Sequence, residues 1–103
     1  MPLKVVLQNL NGERRFDEAV PLNAALDRVL PVFEDASFPL LRFIDPYGDT
    51  LFNGNQMHGF LTEWDRIILT LGNGDDRKFF LRVREMAEKC KEKPHVFLRF
   101  IGD

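Results

Sequence analysis

The strongest constraint on the fold is a stripe of apolar residues that recurs with helical period in the second half of the chain. Seven residues follow one another at intervals of three, one, three, three, one and three: Met57, Phe60, Leu61, Trp64, Ile67, Ile68 and Leu71. This spacing places them on one side of an α-helix, which must bury that side against another element. We expect Asn53 to cap the helix in a capping box with Gln56, and Gly72 to end it in a left-handed conformation.

A second amphipathic helix is predicted after the short Asn73-Gly74 connection. Asp75 or Asp76 is suited to cap its N-terminus, and Pro94 ends it because proline cannot continue a helix. Its apolar side consists of Phe79, Phe80, Val83, Met86, Ala87 and Cys90. Two amphipathic helices joined by a short link predict an antiparallel helical hairpin.

The N-terminal part of the chain is predicted to form a β-hairpin. Residues 4–10 and 13–20 flank Asn11-Gly12, a dipeptide that favours tight hairpin turns because both positions adopt positive φ readily. Pro21 ends the second strand. Asn23 is then suited to cap a short helix that extends to residue 30.

The string Leu-Arg-Phe-Ile occurs twice, at 41–44 and again at 98–101. Each copy is rich in residues that fit a pleated, half-buried surface, and this composition predicts a strand at both places. The first strand, 40–45, is expected to turn through Asp45-Pro46-Tyr47-Gly48 into a short return strand at 49–52. The second copy belongs to the last strand of the chain.

Side chains alternate along a strand, so the repeated string has two faces. We expect the two copies to be neighbouring strands, with Leu41, Phe43, Leu98 and Phe100 under the helices and Arg42 and Arg99 together on the opposite, more open face. The element order β-β-short α-β-β-α-α-β predicts an α+β fold. Its sheet is mainly antiparallel, has about five strands and carries the C-terminal helical hairpin on one face. Residues 1–103 are long enough for one domain and too short for two.

Composition narrows the class of function. The net charge of −2 argues against a nucleic-acid binder, and no apolar run approaches the length of a membrane span. The single cysteine, Cys90, excludes an internal disulfide framework and suits a reducing cytoplasm. The sequence contains no phosphate loop, no dinucleotide-binding glycine pattern and no grouping of Cys and His residues with metal-ligand spacing. We therefore expect no cofactor and no metal, and catalysis has little support.

The densest group of polar residues follows the first copy of the repeated string. With an arginine from the last strand it forms a candidate binding site: Arg42, Asp45, Tyr47, Asp49, Thr50 and Arg99. Two carboxylates beside arginines can bind a cationic group, hold a hard metal ion or take part in acid–base chemistry. They can equally be structural, because Asp45 suits the first position of a turn and an aspartate such as Asp49 pairs readily with an arginine.

The segment 32–39 has no periodicity but contains two phenylalanines next to two carboxylates: Phe33, Glu34, Asp35 and Phe38. One interpretation is a loop whose rings pack onto the edge of the core, since ring burial is strongly favourable. The other is a partner-binding loop with exposed rings. The surrounding sequence is acidic, because residues 31–76 hold eight acidic and two basic side chains.

Residues 42–53, with Gln56 after them, resemble a family of small bacterial proteins of uncharacterised function. The similarity lies in the Tyr-Gly-Asp-Thr-x-Phe-Asn stretch at 47–53, in the helix containing Glu63 and Trp64, and in the C-terminal Leu-Arg-Phe-Ile-Gly-Asp. The resemblance implies a bacterial, cytoplasmic setting. It assigns no catalytic role to any residue.

Three functional hypotheses follow. The first is a non-enzymatic module that binds another protein, for example as an inhibitor or a toxin-neutralising partner, through its acidic segment. Its contacts are expected from Glu34, Asp35, Asp45, Tyr47 and Asp49. The second is a small-molecule binder or enzyme that uses the arginine, aspartate and tyrosine cluster. The third is a homodimer formed through an uncovered edge or face of the sheet.

Overall fold

The computed structural model describes residues 4–9, 15–21 and 29–102. Within these ranges the strands and helices are β1 (Lys4–Asn9), β2 (Arg15–Ala19), β3 (Asp49–Asn53), α1 (Met57–Ile68), α2 (Asp75–Glu92) and β4 (Val96–Ile101), with short 3₁₀ helices at Leu41–Phe43 and Gly54–Gln56. The predicted Asn11-Gly12 turn and most of the helix predicted at 23–30 lie outside the described residues.

The strands form one antiparallel sheet in the order β2-β1-β4-β3. Strand β1 lies inside it, with Val6 opposite Glu18 of β2 on one side and opposite Arg99 of β4 on the other. The β1–β2 register shifts between Leu7 and Gln8, at a bulge. The predicted α+β class and the antiparallel pairing of the first two strands are confirmed.

The prediction of a strand at 40–45 is wrong, and the described sheet therefore has four strands rather than five. Leu41–Phe43 is a 3₁₀ helix in which the Phe43 N–H donates to the carbonyl of Leu40 and the Ile44 N–H donates to that of Leu41. Leu41 and Ile44 are buried, whereas Phe43 is exposed. Leu41 and Ile44 are three residues apart, so a 3₁₀ turn buries both side chains on the same side. This burial outweighs the preference of the individual residues for a strand. The two copies of the repeated string are therefore not neighbouring strands.

The turn at Asp45–Gly48 forms as predicted, but it joins the 3₁₀ helix to β3 instead of linking two strands. The Gly48 N–H donates to the Asp45 carbonyl at 3.3 Å, and the Tyr47 N–H donates to the Asp45 carboxylate at 2.9 Å. The turn lies against the end of β4, where a Cβ on Gly102 would come within 2.6 Å of the Pro46 carbonyl oxygen. This close approach requires glycine at position 102.

Both helices pack on one face of the sheet, which carries Val96, Leu98 and Phe100 of β4 into the core. The alternate residues Phe97, Arg99 and Ile101 are half-buried on the outer face. This face is not uniformly open, because Val6 at its centre is fully buried. The alternation predicted for the last strand is confirmed.

The centre of the core is a stack of aromatic rings around Trp64. Its indole stacks against Phe60 of the same helix and against Phe80 of α2, with ring centroids 5.1 and 4.5 Å apart. The indole N–H donates to the Phe80 carbonyl at 2.9 Å, so the one polar group of this buried side chain is satisfied. The residues predicted for the two helical stripes are all buried except Leu71, which is half-buried.

The helix ends agree in part with the prediction. The capping box of Asn53 and Gln56 is present, although it opens the 3₁₀ helix that leads into α1. Gly72 does not provide a left-handed cap: α1 ends at Ile68, and the described glycine with positive φ is Gly74, at 156°. No Asp75 or Asp76 side chain caps α2, which instead begins after Gly74.

Helices α1 and α2 form the predicted antiparallel pair. Arg77, near the start of α2, donates to the carbonyl of Ile68 at the end of α1, whereas Arg84 further along pairs with Asp65. None of the described helices has the combination of length and apolar character needed to cross a bilayer.

Replacing Trp64 by Phe tests the importance of the ring stack. We expect Trp64→Phe to lower the free energy of unfolding by about 1–3 kcal/mol, because it leaves a cavity and removes the indole hydrogen bond. Urea denaturation followed by circular dichroism measures the change. Leu69→Ala, at a position that is 84% exposed, is the control and should change stability by less than about 0.5 kcal/mol.

Candidate functional site

The described residues form a cleft of about 790 Å³ between two stretches of chain, residues 30–33 and residues 42–47. We call it the aromatic cleft. One wall precedes the 3₁₀ helix, and the other consists of the end of that helix and the turn leading into β3. The cleft therefore exists because 41–43 is a tight helical turn rather than a strand.

Three aromatic rings line the cleft and remain largely in water. Phe33 is 57% exposed, Phe43 is 55% exposed and Tyr47 is 83% exposed. Phe33 and Phe43 meet edge to face with their centroids 5.4 Å apart. Large apolar side chains grouped at the surface in this way are typical of a binding site, since each ring would be more stable if covered.

The guanidinium of Arg42 lies beside this ring pair and contacts both phenylalanines. Its central carbon is 4.8 Å from the Phe33 centroid and 5.2 Å from that of Phe43, so the cation stabilises the ring pair by cation–π contact. The Arg42 Nε atom is buried and has no acceptor within the described part of the chain. A donor of this kind is costly to leave unpaired, and such atoms occur at binding sites.

A buried carboxylate on α1 holds the cleft segment in place. Glu63 is only 5% exposed, and its oxygens accept hydrogen bonds from the backbone N–H groups of Leu40, at 3.0 Å, and Leu41, at 2.9 Å. These are donors at the start of the 3₁₀ helix, which has no side-chain cap of its own. Glu63 thereby fixes the position of this helix relative to α1.

Two further contacts from α1 hold the same segment. The Arg66 guanidinium donates to the Ser37 carbonyl and lies 4.1 Å from the centroid of the Phe38 ring. Gly59 allows close approach, because a Cβ there would lie 3.0 Å from a methyl carbon of Leu40. The loop before the 3₁₀ helix is therefore held by the outer side of α1.

Sequence reasoning missed Glu63, although a signal for it was present. Glu63 follows Phe60 by three residues and precedes Ile67 by four, so it borders the apolar stripe of α1. A carboxylate at such a position is buried and must find donors. The sequence offers no way to tell which donors these are.

The two rings of the loop at 32–39 differ in burial, and the partner-binding interpretation stays a prediction. Phe38 is half-buried and packs against the core, whereas Phe33 is exposed in the cleft. Glu34 is exposed nearby. Hydrogen bonds from the hydroxyl and N–H of Ser37 lower the pKa of Asp35, which keeps this carboxylate ionised.

The structure divides the predicted polar cluster into two groups. Arg42, Asp45 and Tyr47 line the aromatic cleft. Asp49, Thr50 and Arg99 do not line it.

The second group makes contacts that account for its residues structurally. Arg99 pairs with Asp49 across β3 and β4, with its Nε 3.0 Å from the carboxylate oxygen. The Thr50 hydroxyl accepts a hydrogen bond from the Asp45 N–H at 2.9 Å.

Several basic residues of α2 are engaged in ion pairs. Arg82 and Lys89 both contact Asp17 of β2. Burial raises the pKa of Asp17, but the Glu18 N–H and the two cations outweigh this effect, and the pKa is lowered overall. A hydrogen bond with Asp65 raises the pKa of Arg84.

Neither Cys90 nor any group of described metal-ligating side chains forms a second candidate site. The Cys90 thiol is buried, contacts the Val96 carbonyl at 3.4 Å, and has its pKa raised to about 11 by burial. A thiol in this state is a poor nucleophile. In the described ranges, no group of three or more His, Cys, Asp or Glu side chains is arranged to bind a metal ion.

No family model matches this chain, and no curated protein or solved structure shows significant similarity to it. The resemblance of residues 42–53 to a bacterial family therefore stays a prediction. The aromatic cleft is the candidate functional site on its geometry alone.

Removing the Glu63 carboxylate should loosen the cleft. We expect Glu63→Ala to lower the free energy of unfolding by about 2–3 kcal/mol, because the N–H groups of Leu40 and Leu41 lose a charged acceptor. Glu63→Gln keeps one acceptor oxygen and should cost less. Urea denaturation measures both changes, with Glu85→Ala, at an exposed position of α2, as the control. Equal stability of Glu63→Ala and the control would contradict the role assigned to Glu63.

The Cys90 thiol should react slowly in the folded protein. Raising its pKa from 9.0 to about 11 lowers the thiolate fraction at pH 8 about a hundredfold, so alkylation by iodoacetamide should be at least that much slower than in 8 M urea. The unfolded thiol ionises first, so the contribution of Cys90 to stability is complete below pH 9 and is lost as the pH rises towards 11. The difference in unfolding free energy between the native protein and Cys90→Ala should shrink over that range.

Proposed function

We propose that this protein is a non-enzymatic interaction module that binds a basic segment of another protein in the aromatic cleft. The observation that carries the proposal is the exposure of the Phe33, Phe43 and Tyr47 rings around a single concave surface. Covering half of a phenylalanine side chain is worth about 1 kcal/mol or more, so the rings supply affinity to any partner that fits between them. Aromatic groups of this kind are typical anchors of protein interfaces.

The charges around the cleft favour a partner with basic residues. Glu34, Asp35 and Asp45 flank the rings, and Arg42, the one basic residue among the described residues that line the cleft, is held by its contacts with Phe33 and Phe43. Lysine or arginine residues beside an apolar anchor would pair with these carboxylates while the anchor covers the rings. Complementary charge also speeds association and makes it sensitive to salt.

The proposal includes a bacterial, cytoplasmic setting and a role as an inhibitor or a toxin-neutralising partner. The resemblance of residues 42–53 to a bacterial family favours the bacterial setting. A lone buried cysteine is in keeping with a reducing compartment such as the cytoplasm. An acidic surface suits the neutralising role because it can cover a basic active site. This role rests on charge complementarity.

Site-specific photocrosslinking tests the proposal. A photoreactive amino acid at position 43, within the full chain in the source cell, should crosslink to a protein with a basic contact segment. The matched variant carries the same group at Leu69, which is 84% exposed and lies outside the cleft. The crosslink at position 43 should weaken severalfold when Glu34 and Asp45 are replaced by Gln and Asn. Equal crosslinking from both positions, or insensitivity to loss of the carboxylates, would contradict the proposal.

A second candidate function is the binding of a small anionic molecule in the same cleft. The unpaired Nε donor of Arg42 favours it, because a ligand carboxylate or carbonyl can supply the missing acceptor. An aromatic carboxylate such as benzoate or indole-3-acetate would then raise Tm, and Arg42→Met would abolish the increase. No shift in Tm at millimolar ligand would remove this candidate.

A further inference from the structure

We infer that the free edge of β3 pairs with the β3 edge of a second copy of this chain, which forms a two-fold symmetric dimer centred on Leu51. The strand order leaves β2 and β3 at the two edges of the described sheet. An edge strand presents unpaired backbone groups and can therefore add another strand. The two edges differ in how far they are protected from such pairing.

The β2 edge carries more protective features than the β3 edge, where the Gln56 side chain covers only the N–H of Asn53 at one end. The β1–β2 register is interrupted by a bulge, and β2 holds three charged residues, Arg15, Asp17 and Glu18. Bulges and charges on an edge strand both oppose pairing with another chain. By contrast, β3 keeps an unbroken register with β4, and its one charged residue, Asp49, is already paired with Arg99.

The hydrogen-bonding phase of β3 determines which backbone groups point outwards. The Gly102 N–H donates to the Gly48 carbonyl at 2.7 Å, so residue 48 faces β4, and alternation assigns the same direction to residues 50 and 52. The backbone groups of Asp49, Leu51 and Asn53 then point away from β4. In agreement with this phase, the Asn53 N–H donates to the Gln56 side chain, at 2.8 Å, instead of to β4.

Symmetric pairing about Leu51 uses the backbone groups of Leu51 and the Asp49 N–H, leaves the Asn53 N–H bonded to Gln56, and opposes no like charges. Leu51 would exchange two backbone hydrogen bonds with the partner's Leu51, and Asp49 would face the partner's Asn53. A register centred on Asp49 would bring two carboxylates together, which is unfavourable. The Leu51 side chain is 49% exposed, so the two leucines would also cover one another on the outer face of the sheet.

The proposed interface does not overlap the aromatic cleft. The lining of the cleft ends at Tyr47, and the turn at Asp45–Gly48 lies against Gly102 of the β4 end. The β3 edge is on the opposite side of that strand from β4. Dimerisation and partner binding can therefore be tested separately.

A cysteine at the symmetry axis tests the register. Residues that exchange two hydrogen bonds lie about 5.5 Å apart at Cα, within the range of a disulfide. Leu51→Cys should therefore form a covalent dimer under mild oxidation at micromolar concentration, while the native Cys90 stays buried. Leu69→Cys is the matched exposed control and should form the dimer much more slowly. Equal rates for the two variants would overturn the proposed register.

Sedimentation equilibrium tests the dimer itself. The native protein should show twice the 12.0 kDa of one chain as its concentration rises. Leu51→Lys should raise the dissociation constant about tenfold or more by placing two like charges at the axis, and Leu51→Pro should do so by removing the central donors. Leu69→Lys should leave it unchanged. Circular dichroism checks that each variant is folded.

A native chain that is monomeric at every concentration would overturn the inference. So would a dimer that Leu51→Lys leaves intact, since its interface would then lie elsewhere. Pairing of β3 with a different protein, seen as a Leu51→Cys crosslink to another chain and never to a second copy, would also overturn it.

Discussion

The buried carboxylate of Glu63 is the interaction on which the rest of the surface depends. It accepts hydrogen bonds from the backbone N–H groups of Leu40 and Leu41. Without Glu63, these two donors at the start of the 3₁₀ helix would have no acceptor. A buried carboxylate without donors is very unfavourable, so the carboxylate and the helical turn stabilise each other. This mutual requirement fixes where the 3₁₀ helix lies against α1 and where the walls of the aromatic cleft stand.

The same four residues, Leu-Arg-Phe-Ile, adopt two different structures in this protein. At 98–101 they form a strand between two other strands, and the arginine pairs with Asp49. At 41–44 the backbone N–H of Leu41 is held by Glu63, and Arg42 contacts two phenylalanine rings. Strand preference is a weak, context-dependent quantity, and a few hydrogen bonds to a buried charge are sufficient to override it.

Much of the fold could be predicted because it depends on local patterns. Helical spacing correctly indicated the buried sides of α1 and α2, and Asn53 with Gln56 correctly indicated the capping box. The candidate site was only half predictable. Arg42, Asp45 and Tyr47 do line the cleft, but Phe43 was expected in the core and Glu63 was not expected in any role. Both errors trace to the contact of Glu63 with Leu40 and Leu41, more than twenty positions away in the sequence.

The sequence by itself determined the α+β class, the two amphipathic helices and the last strand, since the periodicity of apolar residues decides which sides are buried. Only the tertiary structure decided that 41–43 is a helical turn, that β3 lies at an edge and that three aromatic rings surround one cleft. The physical reason is that the periodicity of apolar residues shows which side of a single helix or strand is buried, and nothing more. Which groups contact a buried carboxylate or a strand edge depends on how the fold brings distant segments together.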